Sequence, residues 1–237
     1  MRKVLITGVS SGLGKALAEE VLKRGDQLFA LGRHEPPDLS RHPGFLFLKA
    51  DLSDTVMIPE TIKEFVKRHT FDLVILNAGR ITPLRLLSET SLKELQELMD
   101  LNLWANKQVI DTLDLHATVR QVVAVSSGAA VNGSKGWGGY ALSKAALNML
   151  IKLYAEEKPW THFSAIAPGV VKTPMLEKIL RHGDPEEFPS LQRIIDGPIL
   201  RPEVAARRFL RACEAAGEFP SGSYLDSRKL EGIKGII

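Results

Sequence analysis

Tyr140 and Lys144 stand four residues apart at the head of a segment with helical period, a spacing that puts both side chains on one helix face. A free phenol, with a pKa near ~10, exchanges protons poorly at neutral pH; an ammonium beside it favours the phenolate and moves it toward a useful range. A tyrosine and a lysine at this spacing are also common on ordinary helices, so the pair needs company. Ser126-Ser127-Gly128 supplies it by closing a strand, because the C-terminal ends of strands line the crevice in which open α/β sheets bind ligands. A serine hydroxyl there can hydrogen-bond a substrate carbonyl. Asn102, set among Met99, Leu101, Leu103 and Trp104, reads either as a satisfied core amide or as the site of a water linking Lys144 to solvent.

A second group follows the first strand. Thr7-Gly8-Val9-Ser10-Ser11-Gly12-Leu13-Gly14 opens a helical pattern, and a glycine-rich strand-to-helix turn lets backbone N–H groups and the positive helix end approach a pyrophosphate. The spacing is G-x-x-x-G-x-G, and its place between a strand and a helix weighs against a purely structural loop. Where an acidic residue would normally hold the adenosine ribose, the second strand ends in Leu31-Gly32-Arg33. A permanently charged arginine suits a 2′-phosphate, so NADP is the expected cofactor. The nearby Glu35 keeps NAD in play, and a solvated strand-end arginine is the plainer reading. Asp51-Leu52 offers a carboxylate and an apolar contact for an adenine ring, although Asp51 alone reads more simply as a cap or turn residue. Asn77-Ala78-Gly79 supplies small residues where backbone must pass a ligand.

These groups need a scaffold that brings strand ends together. Short β-branched runs at Lys3–Thr7, Gln27–Leu31, Gly44–Lys49, Asp72–Leu76, Gln121–Ser126, Thr161–Ala167 and Gly222–Asp226 alternate with helical stretches. Leu73-Val74-Ile75-Leu76 and Val122-Val123-Ala124-Val125 carry no polar residue, as expected when helices cover both faces of a sheet. The expected architecture is a single α/β domain: a seven-stranded, mostly parallel, doubly wound sheet. Helix faces are marked by Leu13, Leu17 and Val21, by Leu92, Leu95, Leu98 and Met99, and by Leu147, Leu150, Ile151 and Tyr154. Pro36-Pro37 breaks the chain after the second strand, and five prolines between Pro174 and Pro202 mark an excursion with short helices.

Composition narrows the partners. With 237 residues, 44% of them hydrophobic, the chain can bury one sizeable core. The 31 basic and 28 acidic residues are scattered, which argues against a nucleic-acid face. No run approaches a membrane span, and the start lacks a signal-peptide core. Cys213 is the only cysteine and the six histidines show no ligand spacing, so neither a disulfide nor a metal is expected and a cytoplasmic setting fits best.

Taken in order, the motifs resemble those of the short-chain dehydrogenase/reductase superfamily over nearly the whole chain. Its cofactor turn matches Thr7 to Gly14, its adenine-side Asp matches Asp51, and its N-A-G motif matches Asn77 to Gly79. Its catalytic Asn falls on Asn102, its Ser on Ser127, and its Y-x-x-x-K on Tyr140 and Lys144. Its later P-G-x-x-x-T falls on Pro168, Gly169 and Thr173, with Val171 inside the motif. The resemblance implies a Rossmann fold and hydride exchange between a nicotinamide and a small carbonyl or alcohol. In it Tyr140 handles the proton, Ser127 polarises the carbonyl, Lys144 lowers the Tyr140 pKa and holds ribose hydroxyls, and Asn102 positions a relay water. An arginine matching Arg33 goes with NADP; Ser11 stands where a second basic residue often accompanies it.

A narrower likeness, in Ser126 to Ala130 and Lys135-Gly136-Trp137, is to sepiapterin reductases and bacterial benzil reductases. It implies reduction of a vicinal diketone or a pterin side chain. Trp137 reads as a pocket wall or as loop packing. Met175, Leu176 and Ile179, within residues 174–202, read as a lid over the substrate or as a packed surface excursion. The resemblance, with surplus apolar residues on the helices at 92–113 and 141–156, implies a homodimer or homotetramer. The competing readings are an NAD-dependent secondary-alcohol dehydrogenase and a non-catalytic dinucleotide-binding sensor or scaffold.

Overall fold

A computed structural model describes residues 1–230. Seven strands form one sheet: β1 (Lys3–Thr7), β2 (Gln27–Gly32), β3 (Phe45–Lys49), β4 (Leu73–Leu76), β5 (Gln121–Val125), β6 (His162–Ala167) and β7 (Ser223–Asp226). Their order is β3-β2-β1-β4-β5-β6-β7, and every pairing is parallel. The order reverses at β1, which places a crevice above the C-terminal ends of β1 and β4, next to β5.

Strand alternation sorts side chains into two helix layers. Val4 and Ile6 pack with α1 (Gly12–Lys23) and α8 (Pro202–Ala215), while Leu5 packs with α2 (Ile58–Val66), α4 (Ala105–His116) and α5 (Gly138–Glu157). The predicted α1 stripe of Leu13, Leu17 and Val21 is buried, as are Leu147, Ile151 and Tyr154 on α5. Leu92 differs: it opens α3 (Leu92–Met99) beyond the edge of the core and is 69% exposed.

The helical stretch after residue 92 is broken by a π turn at Asp100–Trp104, between α3 and α4, which carries Asn102. The proline-rich excursion forms α6 (Pro174–His182) and α7 (Pro189–Asp196), each with proline in its first turn, where the missing N–H goes unused. A parallel bridge between Val171 and Leu200 ties its two ends. Ile179, Phe188 and Leu191 form a small core of their own, packed against Ile81, Leu84 and Trp137.

Candidate active site

The glycine turn is held by its neighbour strand. The buried Thr7 hydroxyl accepts the Asn77 and Ala78 N–H groups at 3.0 and 2.9 Å, and Asn77 Nδ2 donates to the Thr7 and Gly8 carbonyls at 3.0 and 2.8 Å. Asn77 therefore braces the turn, a role its N-A-G context did not reveal. A Cβ on Gly14 would lie 2.0 Å from the Gly8 carbonyl oxygen, so only glycine lets α1 start so close to the turn. No side chain caps α1: Ser11 stands at the N-cap with its hydroxyl unused there. The first-turn N–H groups thus remain available to an anion in the cleft, and the cradle fits a pyrophosphate.

One cleft of about 520 Å³ runs over the strand ends. At its glycine end lie Gly8, Ser10, Ser11, Gly12, Leu13, Gly14, Gly32, Arg33, Asp51 and Leu52. Asn77, Ala78, Gly79, Pro168, Gly169, Val171 and Thr173 line its middle, and Ser127, Tyr140 and Lys144 its far end. Among the residues singled out from the sequence for cofactor or chemistry, Asn102 and Glu35 lie outside the lining, as do Thr7 and Val9 of the glycine turn. Arg33 is exposed at the mouth beside His34 and forms no ion pair with another described residue. The neighbouring basic residue Lys15 is committed to Asp38 at 2.7 Å. Asp51 accepts the Ser53 N–H and hydroxyl at 3.0 and 2.7 Å, bonds that hold its carboxyl below the usual range. It is a turn former that also faces the cleft. Thr173 caps α6 by accepting the Leu176 N–H at 3.2 Å, and its methyl lies where a Cβ on Gly12 would meet it at 3.0 Å.

At the chemical end, Tyr140 and Lys144 lie one turn apart on α5, and Ser127 follows β5. The Ser127 side chain accepts the Ala129 N–H at 3.1 Å and lies near enough to the Tyr140 phenol to act on its pKa. Lys144 is 3% exposed; its Nζ donates to the Val125 carbonyl at 2.8 Å and sits 5.8 Å from the Tyr140 ring centroid. Burial lowers its pKa to about 8. Burial also raises the Tyr140 phenol, against the lowering effect of Ser127. The expected lowering by Lys144 is thus not what the chain alone displays: the ammonium donates to Val125 and lies over the Tyr140 ring.

Asn102 is fully engaged. Its Oδ1 accepts the Arg80 N–H at 2.9 Å, and its Nδ2 donates to the Arg80 carbonyl and the Ser143 hydroxyl, both at 2.9 Å. Of its two readings, the structure displays the satisfied core amide, a clamp between the π turn and the strand end after Gly79. Its carbonyl accepts Asn106 Nδ2 at 2.8 Å and keeps a second lone pair. Sequence reasoning missed Arg80, Ile81, Leu101 and Ile194 as cleft residues, and Asn148, whose Oδ1 accepts the Ser126 hydroxyl at 2.6 Å. Only Asn148 left a signal, as an amide one turn after Lys144 on the helix face that carries Tyr140 and Lys144.

The sequence pattern of the short chain dehydrogenases matches residues 2–183. The chain belongs to that family. As a short chain dehydrogenase it is an oxidoreductase, and its relatives refine the likeness. A benzil reductase of Bacillus cereus, which forms (S)-benzoin, is 30% identical, over 95% of this chain and 98% of the relative. An NADPH-dependent pterin aldehyde reductase of Arabidopsis thaliana is 31% identical, over 74% of this chain and 77% of the relative. Among solved structures, a short chain dehydrogenase/reductase of Saccharomyces cerevisiae superposes with a TM-score of 0.82 at 24% identity, covering 96% of each chain. The enzyme ElxO, solved with NADP bound, gives a TM-score of 0.75 at 25% identity over 98% of this dehydrogenase and all of ElxO. Among the described residues, no helix is long and apolar enough to cross a membrane.

Proposed function

We propose that this dehydrogenase uses NADP(H) to reduce a ketone, foremost one carbonyl of a vicinal dicarbonyl or a pterin side-chain carbonyl. The observation that carries this reading is the shared cleft: a glycine cradle and an exposed arginine at one end, Ser127, Tyr140 and Lys144 at the other. The names of the benzil and pterin aldehyde relatives support the substrate class.

With its pyrophosphate on the cradle, the reduced cofactor would supply a hydride from its nicotinamide. The chain's residues do the rest. Uncapped α1 N–H groups would hold phosphate oxygens, and Arg33 would pair with a 2′-phosphate. The Ser127 hydroxyl orients the carbonyl oxygen, and the Tyr140 O–H beside it in the cleft delivers a proton to it as negative charge develops. Lys144 places a positive charge beneath the phenol ring, which favours the phenolate left behind. Met175, Leu176 and Ile179 line the cleft above and exclude water. The exposed apolar stripes on α4 and α5 support a homo-oligomer.

The test is loss of NADPH, and separately NADH, absorbance with benzil, 1-phenyl-1,2-propanedione, sepiapterin and a simple aryl ketone. Rapid turnover of the diketones or sepiapterin with NADPH is expected, and Arg33→Ala should remove the preference for NADPH. A wild-type preference for NADH would favour the NAD-dependent alternative. Silence with every substrate would overturn the proposed substrate class.

A further inference from the structure

The loop at 134–137, immediately before the helix that bears Tyr140, is joined to the excursion at four successive residues. Trp137, the N-cap residue of α5, donates its indole Nε1 to the Ser190 hydroxyl of α7 at 2.7 Å. Gly136, at φ +89°, lies flat under the Phe188 ring, where a Cβ would come within 2.5 Å. Lys135 Nζ is 5.6 Å from the Phe188 ring centroid and 3.9 Å from a Glu187 carboxylate oxygen. Arg193 Nη2 reaches the Ser134 hydroxyl at 3.5 Å. Only the Trp137–Ser190 contact is a short side-chain hydrogen bond, and it is the one that bears on the cleft.

Trp137 lines the cleft with its ring centroid 6.3 Å from that of Tyr140, whereas Ser190 lies outside the lining. An indole has one donor and no acceptor, and this one is spent on Ser190. The face left for a substrate is therefore carbon only. Around it the lining adds Met175, Ile179 and Ile194.

Resting on the proposed carbonyl reductase reading, we infer that Ser190 is a positioning residue that fixes Trp137 as the apolar wall beside Tyr140, and that this wall selects carbonyls bearing a flat aromatic substituent. A pterin ring, which presents several donors and acceptors, finds no polar partner on that wall. Aryl diketones are the better fit of the two substrate classes. A small aliphatic diketone does not reach the wall and is indifferent to it.

The experiment compares wild type with Ser190→Ala, and with Ser190→Thr, which keeps the hydroxyl. It measures kcat and KM for 1-phenyl-1,2-propanedione and 2,3-butanedione, with acrylamide quenching of tryptophan emission in a background where Trp104 and Trp160 are phenylalanine. Loss of one hydrogen bond is expected to lower kcat/KM for the aryl diketone, relative to butanedione, by roughly three- to tenfold, chiefly through KM. Quenching of Trp137 should rise, and Ser190→Thr should restore both properties. Unchanged quenching in Ser190→Ala overturns the latch whether or not the enzyme turns over. Increased quenching with an equal loss on both diketones overturns the specificity role. A wild type inactive on all carbonyls but with Ser190-dependent quenching sinks the substrate reading while leaving the latch standing.

Discussion

Lys144 is held as a cation in a place that disfavours one. Its folded pKa of about 8, against 10.5 for the unperturbed side chain, means that the folded state releases this proton more readily than the unfolded state. The penalty, on the order of 3 kcal/mol, is fully present below pH 8 and fades as pH rises from 8 toward 10.5, where both states are neutral. Lys144→Met, similar in length and without charge, is expected to raise the Tm of the cofactor-free protein at pH 7 while abolishing turnover. The stability gap should narrow in melts at progressively higher pH; a variant less stable than wild type at pH 7 would refute the buried-charge account. Tyr140→Phe keeps the ring contact with Trp137 and removes only the proton donor, so kcat should fall by roughly 10²- to 10⁴-fold with nucleotide affinity unchanged. Fluorescence titration with NADPH alongside turnover checks both halves. At this scale the placement of the groups was legible because spacing puts Tyr140 and Lys144 on one turn and Ser127 at a strand end. Ser190 and Asn148 were not, since each matters through a partner 53 or 22 residues away.

The π turn shows what an element adds to its residues. The helical period of Leu92, Leu95, Leu98 and Met99 reads as one helix running on, and the extra residue per turn at Asp100–Trp104 changes no residue type, so periodicity cannot report it. Its consequence is structural: Asn102 is turned inward to tie Arg80 and Ser143 together. Replacing it with leucine would strand the Arg80 N–H and carbonyl and take one of its two partners from the Ser143 hydroxyl, which keeps its bond to the Tyr140 carbonyl. Asn102→Leu is expected to destabilise the fold by about 2–4 kcal/mol in urea denaturation, because each orphaned group carries its own desolvation penalty. A change under about 0.5 kcal/mol, of the size typical of surface substitutions, would mean that the amide serves something other than structure. The strands were far easier to read. With both faces covered, each is a nearly unbroken apolar run, and the observed ends differ from the expected ones by one residue: Gly44, Asp72, Ser126, Thr161 and Gly222 fall just outside the ladder, and Gly32 extends β2. The excursion was legible as proline-bounded short helices, but its docking on the Tyr140 loop depends on Phe188 lying over Gly136, which no local pattern carries.

Across the whole molecule, the apolar surface is distributed unevenly. The outer side of α5 carries Leu142, Met149 and Leu153, each more than half exposed, and that of the π turn and α4 carries Trp104 and Leu115. Their spacings of seven, four and eleven residues keep each set on one stripe. The two helices pack on the same sheet face, linked by the Tyr154 hydroxyl donating to Asp111 at 2.5 Å, so the stripes lie side by side. A monomer gains nothing from leaving such a surface in water, and a two-fold axis across it would bury both copies at once. Wild-type protein is therefore expected to sediment as a dimer or tetramer, with a Tm that rises with protein concentration, because association stabilises by mass action. Met149→Glu combined with Leu153→Glu would set like charges against each other across that axis and should give a monomer whose Tm is independent of concentration. Tyr140 and Lys144 face the cleft from the opposite side of α5, so neither substitution touches the reacting groups, and any loss of activity in the monomer would measure what subunit pairing contributes to holding that helix in place. A wild type that stays monomeric at all concentrations would leave the stripes without a partner of their own kind.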